Sequence, residues 1–357
     1  VLKFVSELLT IIYPEHVSKP PHELVKDIKN ISGKAPKNFK YLRLDIENYY
    51  PSIDHEILIR TLRKRIRIPE LLFLIINAIK TPTGEKKDFD NLPTFGVPQG
   101  LSISNILSSL YLESIDHKYK SIPSIKYYRF VDDILIIADS ETCGDLSKNL
   151  PVELEAKKKI TCHKVGEGNK SILVSINNGV DYLGYRFCGK SVEVRQSSFK
   201  KMFSNLMKYF TIAKYNGEQA AILWRINLRI TGCHFQGKRI GWIFFFSQTE
   251  NVQQLKQLDA FVADQARKFI KPKYSESIKQ FVRAYYEIRY NHRESNYFLD
   301  FDDFTPEKKI AEIKMLLGSR APKNLESFSP EALDKYFNKC ITREISDLER
   351  DMLEVFS

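Results

Sequence analysis

The stretch KYYRFVDDILIIADS, from Lys126 to Ser140, constrains the fold more than any other part of the chain. Two apolar, β-branched and aromatic runs flank the adjacent carboxylates Asp132 and Asp133. Charge in such surroundings is costly unless something pairs with it. YYRF and DILIIA both read as strands, and VDD between them is short enough for a tight hairpin carrying the acids at or just after its turn. A DD turn solvated at the surface would have polar flanks, and these are apolar.

A second strand is legible upstream, in YLRLDIENYYPSIDH (Tyr41 to His55). Leu42, Leu44 and Ile46 alternate with Arg43, Asp45 and Glu47, the period of a half-buried strand, and Pro51 with Ser52 ends it. Asp45 then projects from the polar face near the strand's C-terminal end, where an Asp is more often a turn or cap residue. Paired beside the hairpin, however, this strand would bring three carboxylates to one sheet edge. Such a cluster repels itself unless cations bind, and hard oxygen ligands suit Mg²⁺, with Mn²⁺ as the alternative; two ions about 4 Å apart serve phosphoryl transfer. Between the acids lies FGVPQGLSISNILSSLYLESIDHKY (Phe95 to Tyr119). Gly96, Pro98 and Gly100 predict a constrained turn, and a helix follows with Ile103, Ile106, Leu107, Leu110, Tyr111 and Ile115 on one face. Ser102, Ser104, Ser108 and Ser109 on the other face leave room for something large, a packed helix with a polar side being the plainer alternative.

At 357 residues and 43% apolar, the chain can bury a substantial core in two or three units. No run of about 18 apolar residues and no secretory pattern occurs, so neither membrane insertion nor secretion is indicated. Cys143, Cys162, Cys188, Cys233 and Cys340 are scattered and never in CxxC spacing, which argues against a disulfide framework or a structural zinc and for a cytoplasmic protein. The net charge of +11 is unevenly spread. Residues 1–190 hold 28 Lys/Arg and 23 Asp/Glu, residues 191–290 hold 17 and 7, and residues 291–357 hold 10 and 14. The basic, aromatic-rich middle segment suits a phosphate backbone, a solvated basic face being the equal alternative.

Together and in this order, the segments resemble the palm motifs of reverse transcriptases, in particular the prokaryotic branch of group II intron, retron and defence-associated or abortive-infection enzymes. DIENYYPSIDH is similar to motif A, GVPQGLSISNILSSLYL to motif B, FVDD to the motif C usually written YxDD, and YLGYRF (Tyr182 to Phe187) to the primer grip. The resemblance covers residues 38–190. It implies an α+β right-hand polymerase: fingers and palm over 1–190 with a ferredoxin-like palm sheet, a helical thumb over 191–290, and a small helical C-terminal region over 291–357. It further implies that Asp45, Asp132 and Asp133 hold two Mg²⁺ ions with the Ile46 carbonyl as an extra ligand, while a primer hydroxyl attacks the α-phosphate of a dNTP. By the same resemblance Tyr50 is the steric gate against a 2′-hydroxyl, and Gln99 with Gly100 contacts nucleotide or template. Lys170 is chosen among Lys157, Lys158, Lys159, Lys164 and Lys170 as the donor to pyrophosphate, and Tyr182, Leu183 and Gly184 meet the primer. Phe130 replaces the usual Tyr of motif C, and the cations that clasp the triphosphate are reduced to Lys34, Lys37, Lys40 and Arg43.

Beyond the palm, SSFKKMFSNLMKYFTIAKY reads as an amphipathic helix with Phe199, Met202, Phe203, Leu206 and Phe210 inward. Lys200, Lys201 and Lys208 then face outward, where a nucleic-acid backbone would lie. GKRIGWIFFF reads as a turn and a buried strand or loop, with His234 and Trp242 as packing residues. DFDDF (Asp300 to Phe304) reads as a loop into a helix capped at Thr305 rather than as a metal site. The expected function is an RNA-directed DNA polymerase in bacterial antiviral defence, with an RNA template (including a dedicated non-coding RNA), dNTPs, a DNA product, and a homo-oligomeric or accessory-protein contact as partners. Two alternatives stand beside it: a protein-primed or template-independent nucleotidyl transferase, and a non-enzymatic RNA-binding scaffold.

Overall fold

A computed structural model describes residues 1–17, 21–81, 92–168, 170–215, 219–291 and 294–353. The chain divides into two compact units, residues 1–182 with 187–190, and residues 183–186 with 191 onward. In the first unit, α1 (Leu2–Ile12) and α2 (Pro21–Lys34) precede β1 (Phe39–Asp45). Helices α3 (His55–Leu62), α4 (Pro69–Lys80), α5 (Ser104–Tyr111) and α6 (Glu113–Lys120) lead to the hairpin β2 (Lys126–Phe130) and β3 (Asp133–Asp139). Helix α7 (Ser140–Lys158) and β4 (Ile172–Ser175) follow. The sheet order is β2-β3-β1-β4 with every neighbouring pair antiparallel, the arrangement a split β-α-β unit produces.

The sequence explains which strands are central. Ile134 to Ala138 form an unbroken apolar run and are fully buried, as a strand covered on both faces requires. Leu42 and Leu44 of β1 join Ile134 and Ile136 in one core with Leu58, Leu107 and Leu154, contributed by α3, α5 and α7. Each such side chain stabilises the fold by about 1.5–3 kcal/mol. The sheet passes directly into α7 because Asp139 caps it, its Oδ1 accepting from the amides of Glu141 and Thr142. The serine face of α5 is only partly covered: Ser102 is exposed and Ser109 half-buried beside a cavity that Asn105 and Ser108 also line. Ser104 and Ser108 are buried, the first donating to the Pro98 carbonyl at 2.6 Å and the second to the Asn105 carbonyl. Helix α5 packs against α3.

The second unit is mainly helical: α8 (Gln196–Tyr215), α9 (Gln219–Thr231), β5 (Cys233–Phe235), β6 (Lys238–Ile240), α10 (Val252–Phe269), α11 (Phe281–Tyr290), β7 (Leu299–Asp300), α12 (Pro306–Leu317) and α13 (Pro330–Leu353). A three-stranded sheet orders β7-β5-β6. Gly232 makes the turn from α9 to β5 with φ of 66°, and a Cβ there would collide with the Ile240 carbonyl. Residues Trp242–Phe245 form one helical turn rather than a buried strand or loop, and Trp242 packs at a tilt on Phe246 and edge-on against Phe281. Leu228, Phe235 and Ile240 share a core with Phe301, Ile313, Leu333 and Phe337, so segments 191–290 and 291–350 are built around common apolar residues. Asp302 accepts from the amides of Gln236 and Gly237 and Asp300 from His234, while Thr305 caps α12. Among the described residues no helix is long and apolar enough to cross a membrane.

Glu153 of α7 ties down α6: its carboxylate accepts from Lys118 at 2.6 Å, Tyr119 at 2.6 Å and Lys157 at 2.7 Å. Burial works against the ionised form, yet these donors outweigh it and hold its pKa down at about 2 against an ordinary 4.5. Its contribution is therefore complete above pH 4.5 and lost as pH falls towards 2. Glu153→Gln should cost about 1–3 kcal/mol near neutral pH, and urea denaturation of both proteins should converge at the acid end of that window.

Candidate active site

The first strand and the hairpin place their acids by register. Asp45, the last residue of β1, sits directly across from Asp133, the first of β3, and Arg43 lies two residues back on the same face. Asp132 occupies the two-residue loop with Val131, whose φ of 56° has the sign such a loop needs to match strand twist. A β-branched residue in that region is strained. Two donors hold the loop nonetheless. The Ile46 amide donates to the Asp132 carbonyl at 3.1 Å, and Arg129 Nη1 donates to the Val131 carbonyl at 2.9 Å. Arg129 is itself buried against the Asp116 carboxylate, which also accepts from Tyr127.

The Arg43 guanidinium grips Asp133 bidentately, Nε to Oδ1 and Nη2 to Oδ2 both at 2.8 Å. Burial pushes the Asp133 carboxyl up to about 6 against the pull of Arg43, and Asp45 and Asp132 add to the rise. Burial raises Asp132 too, with Asp45 adding repulsion. Asp45 meets an imidazole and an ammonium group instead. His163 Nε2 lies 3.3 Å from its Oδ1, Lys170 Nζ lies 3.9 Å away, and the other His163 nitrogen is 3.4 Å from Glu47. The segment Thr161–His163 comes to this place by pairing with the end of β1, through Glu47 N to the Thr161 carbonyl and His163 N to the Asp45 carbonyl, both 2.9 Å.

The other residues singled out from the sequence fall around or away from this centre. Ile46 is buried. Tyr50 donates from its hydroxyl to Asn105 Oδ1 at 2.8 Å. Gln99 and Gly100 are exposed in the turn before α5, Gly100 at φ 89°. The Tyr182 ring is buried with its hydroxyl donating to the Asp133 carbonyl at 3.1 Å, so its side chain braces the acid pair instead of facing a strand. Leu183 and Gly184 are likewise buried. On α8, Lys200 and Lys208 are exposed and Lys201 half-buried. Arg43, offered by the sequence as a triphosphate clasp, is engaged by Asp133 because strand alternation turns both to one face. His163 and Arg129 were not singled out: their roles depend on backbone pairing and on a partner 13 residues away, neither of which leaves a local pattern.

The carboxylate donors fit a hard divalent cation: burial raises two of them, and among the described residues only Asp133 is gripped bidentately by a counter-charge, Asp45 meeting Lys170 at the longer distance of 3.9 Å. The three aspartates are not as tightly drawn together as Glu15, His16 and Glu113, whose ligand atoms lie within 4.8 Å of one another; there Arg65 already bridges both glutamates. Removing Arg43 leaves Asp133 buried and unpaired, so Arg43→Met should destabilise the protein by about 3–5 kcal/mol in urea denaturation. Adding Asp133→Asn should restore most of that; a single-variant loss under about 1 kcal/mol would mark the pair as surface-like.

Residues 3–187 match the family described as reverse transcriptase (RNA-dependent DNA polymerase). No curated protein matches. Among solved structures, the chain is similar to telomerase from Candida albicans in complex with a TWJ fragment of telomeric RNA, at 16% identity and TM-score 0.43, covering 99% of this chain and 57% of that one. Telomerase from Candida tropicalis in complex with a TWJ fragment of telomeric RNA gives 12% identity and TM-score 0.44, covering 99% and 56%. The chain thus spans little more than half the length of these structures.

Proposed function

Because the chain belongs to the reverse transcriptase (RNA-dependent DNA polymerase) family, we propose that it copies an RNA template into DNA from dNTPs at the carboxylate site. The observation that carries this reading is the register that sets Asp45 across from Asp133, with Asp132 on the adjoining turn. Asp45, Asp132, Asp133 and the Ile46 carbonyl are hard oxygen donors that would hold two Mg²⁺ ions. When bound, such ions activate the attacking hydroxyl and offset charge on the leaving oxygen.

The chain's own residues supply positioning, which is most of what this chemistry asks of a protein. The Ile46 amide and the Arg129 guanidinium fix the acid-bearing loop, and the Tyr182 hydroxyl fixes the backbone of Asp133. Tyr50, held by Asn105, is the gate beneath the sugar that selects deoxynucleotides. Gln99 and Gly100 meet the nucleotide or template, and Lys170 beside Asp45 gives a proton to pyrophosphate. Lys200, Lys201 and Lys208 take the nucleic-acid backbone, as do the Tyr182–Gly184 turn's peptide groups. The motif spelling supports a role among the prokaryotic defence-associated enzymes, acting in the cytoplasm in antiviral defence with a dedicated RNA.

Purified protein given Mg²⁺, dNTPs and primed RNA should extend the primer. The Asp132→Ala, Asp133→Ala double variant should lose at least about 10²-fold of that rate. No incorporation by the wild type on any template would remove the polymerase reading. Product formed without added primer and attached covalently to a Tyr or Ser would instead favour protein priming.

A further inference from the structure

The second unit carries an open cavity of about 620 Å³, inside the range of roughly 300–1,000 Å³ typical of small-ligand sites. Its wall combines two chemistries. Lys339 and Arg343 lie one turn apart on α13, and Lys208 of α8 and Arg320 beyond α12 complete a set of four cations. None of the four pairs with a carboxylate among the described residues; Lys208 reaches only the Asn205 amide oxygen, at 3.1 Å. The two carboxylates on the wall are already matched: Glu344 by Arg225 through two 2.7 Å hydrogen bonds, and Asp347 by Arg350. Beside the engaged Arg225, Arg229 and Arg350, the wall is apolar or aromatic, including Ile222, Leu316 and the Tyr209 ring, over which Arg229 sits at 4.9 Å.

The sign of this wall runs against its surroundings. Residues 291–357 carry four more acids than bases, yet this segment lines the cavity with Arg320, Lys339, Arg343 and Arg350 against Glu344 and Asp347. A merely solvated basic face needs neither an apolar floor nor such sorting of charge. From this we infer that the cavity binds one nucleotide unit by its phosphates. The guanidinium and ammonium groups take phosphate oxygens, and the Tyr209, Ile222 and Leu316 side accepts the base. The ligand is a free nucleoside triphosphate or the 5′-phosphorylated end of a strand, which share this chemistry. The inference goes beyond the polymerase reading and does not depend on it, because the cavity is built wholly from residues 208–350.

ATP titrated calorimetrically into the full chain in EDTA, which silences divalent-ion-dependent binding, should show one saturable site. Lys339→Gln with Arg343→Gln should weaken it at least about tenfold, the worth of a lost charge-assisted hydrogen bond. Both side chains are exposed, so the thermal midpoint should match the wild type; Lys208→Gln with Arg320→Gln provides the same comparison from other elements. A 5′-phosphorylated RNA oligonucleotide that displaces ATP where its 5′-hydroxyl counterpart does not assigns the site to a strand end, and failure of both to displace assigns it to the free nucleotide. Absence of saturable binding, equal affinity in both glutamine variants, or equal displacement by the two oligonucleotides overturns the inference.

Discussion

A guanidinium pinned to a buried carboxylate sets the terms for the rest of the first unit. Strand alternation puts Arg43, Asp45 and Asp133 on one face of the sheet, and the apolar run of β3 buries the acid that heads it. Arg43 makes that burial tolerable by occupying both oxygens of Asp133. Asp132 has no such partner, and Asp45 has only the looser approach of His163 and Lys170. The site is thus short of positive charge at the two carboxylates whose oxygens are least committed, which is where divalent cations are best accommodated.

Rigidity follows from the same construction. The strained Val131 persists because its carbonyl is held by Arg129 and the next carbonyl by the Ile46 amide. Arg129 in turn needs Asp116, so a second buried ion pair stands behind the first. A loop braced in this way keeps its acids still, as the proposed phosphoryl transfer would require.

Much of this could be read in the sequence, for reasons that differ by residue. The β2–β3 hairpin was legible because a continuous β-branched run bounded by VDD has few other ways to fold, and β1 because Leu42 and Leu44 alternate with charge. The function of Arg43 was not, since its spacing to Asp45 says nothing of what lies across the strand until the register is known. His163 was hidden for the same reason, its place being fixed by the backbone pairing of Thr161–His163. Ser104 and Ser108 misled because a small polar side chain reads as an exposed face, whereas both hydroxyls find local carbonyls and are buried. The WIFF turn misled because β propensity of aromatics yields to packing around Phe246 and Phe281.

On the proposed function, Asp45, Asp132 and Asp133 are held together to bind divalent cations and not to stabilise the fold. Mn²⁺ binding followed by electron paramagnetic resonance, alongside thermal denaturation without metal, tests it directly in the Asp45→Asn, Asp132→Asn variant. The account predicts that this variant loses the Mn²⁺ bound by the wild type while becoming at least as heat-stable, because mutual repulsion has been relieved. Unchanged Mn²⁺ binding, or a marked loss of stability without metal, would contradict it.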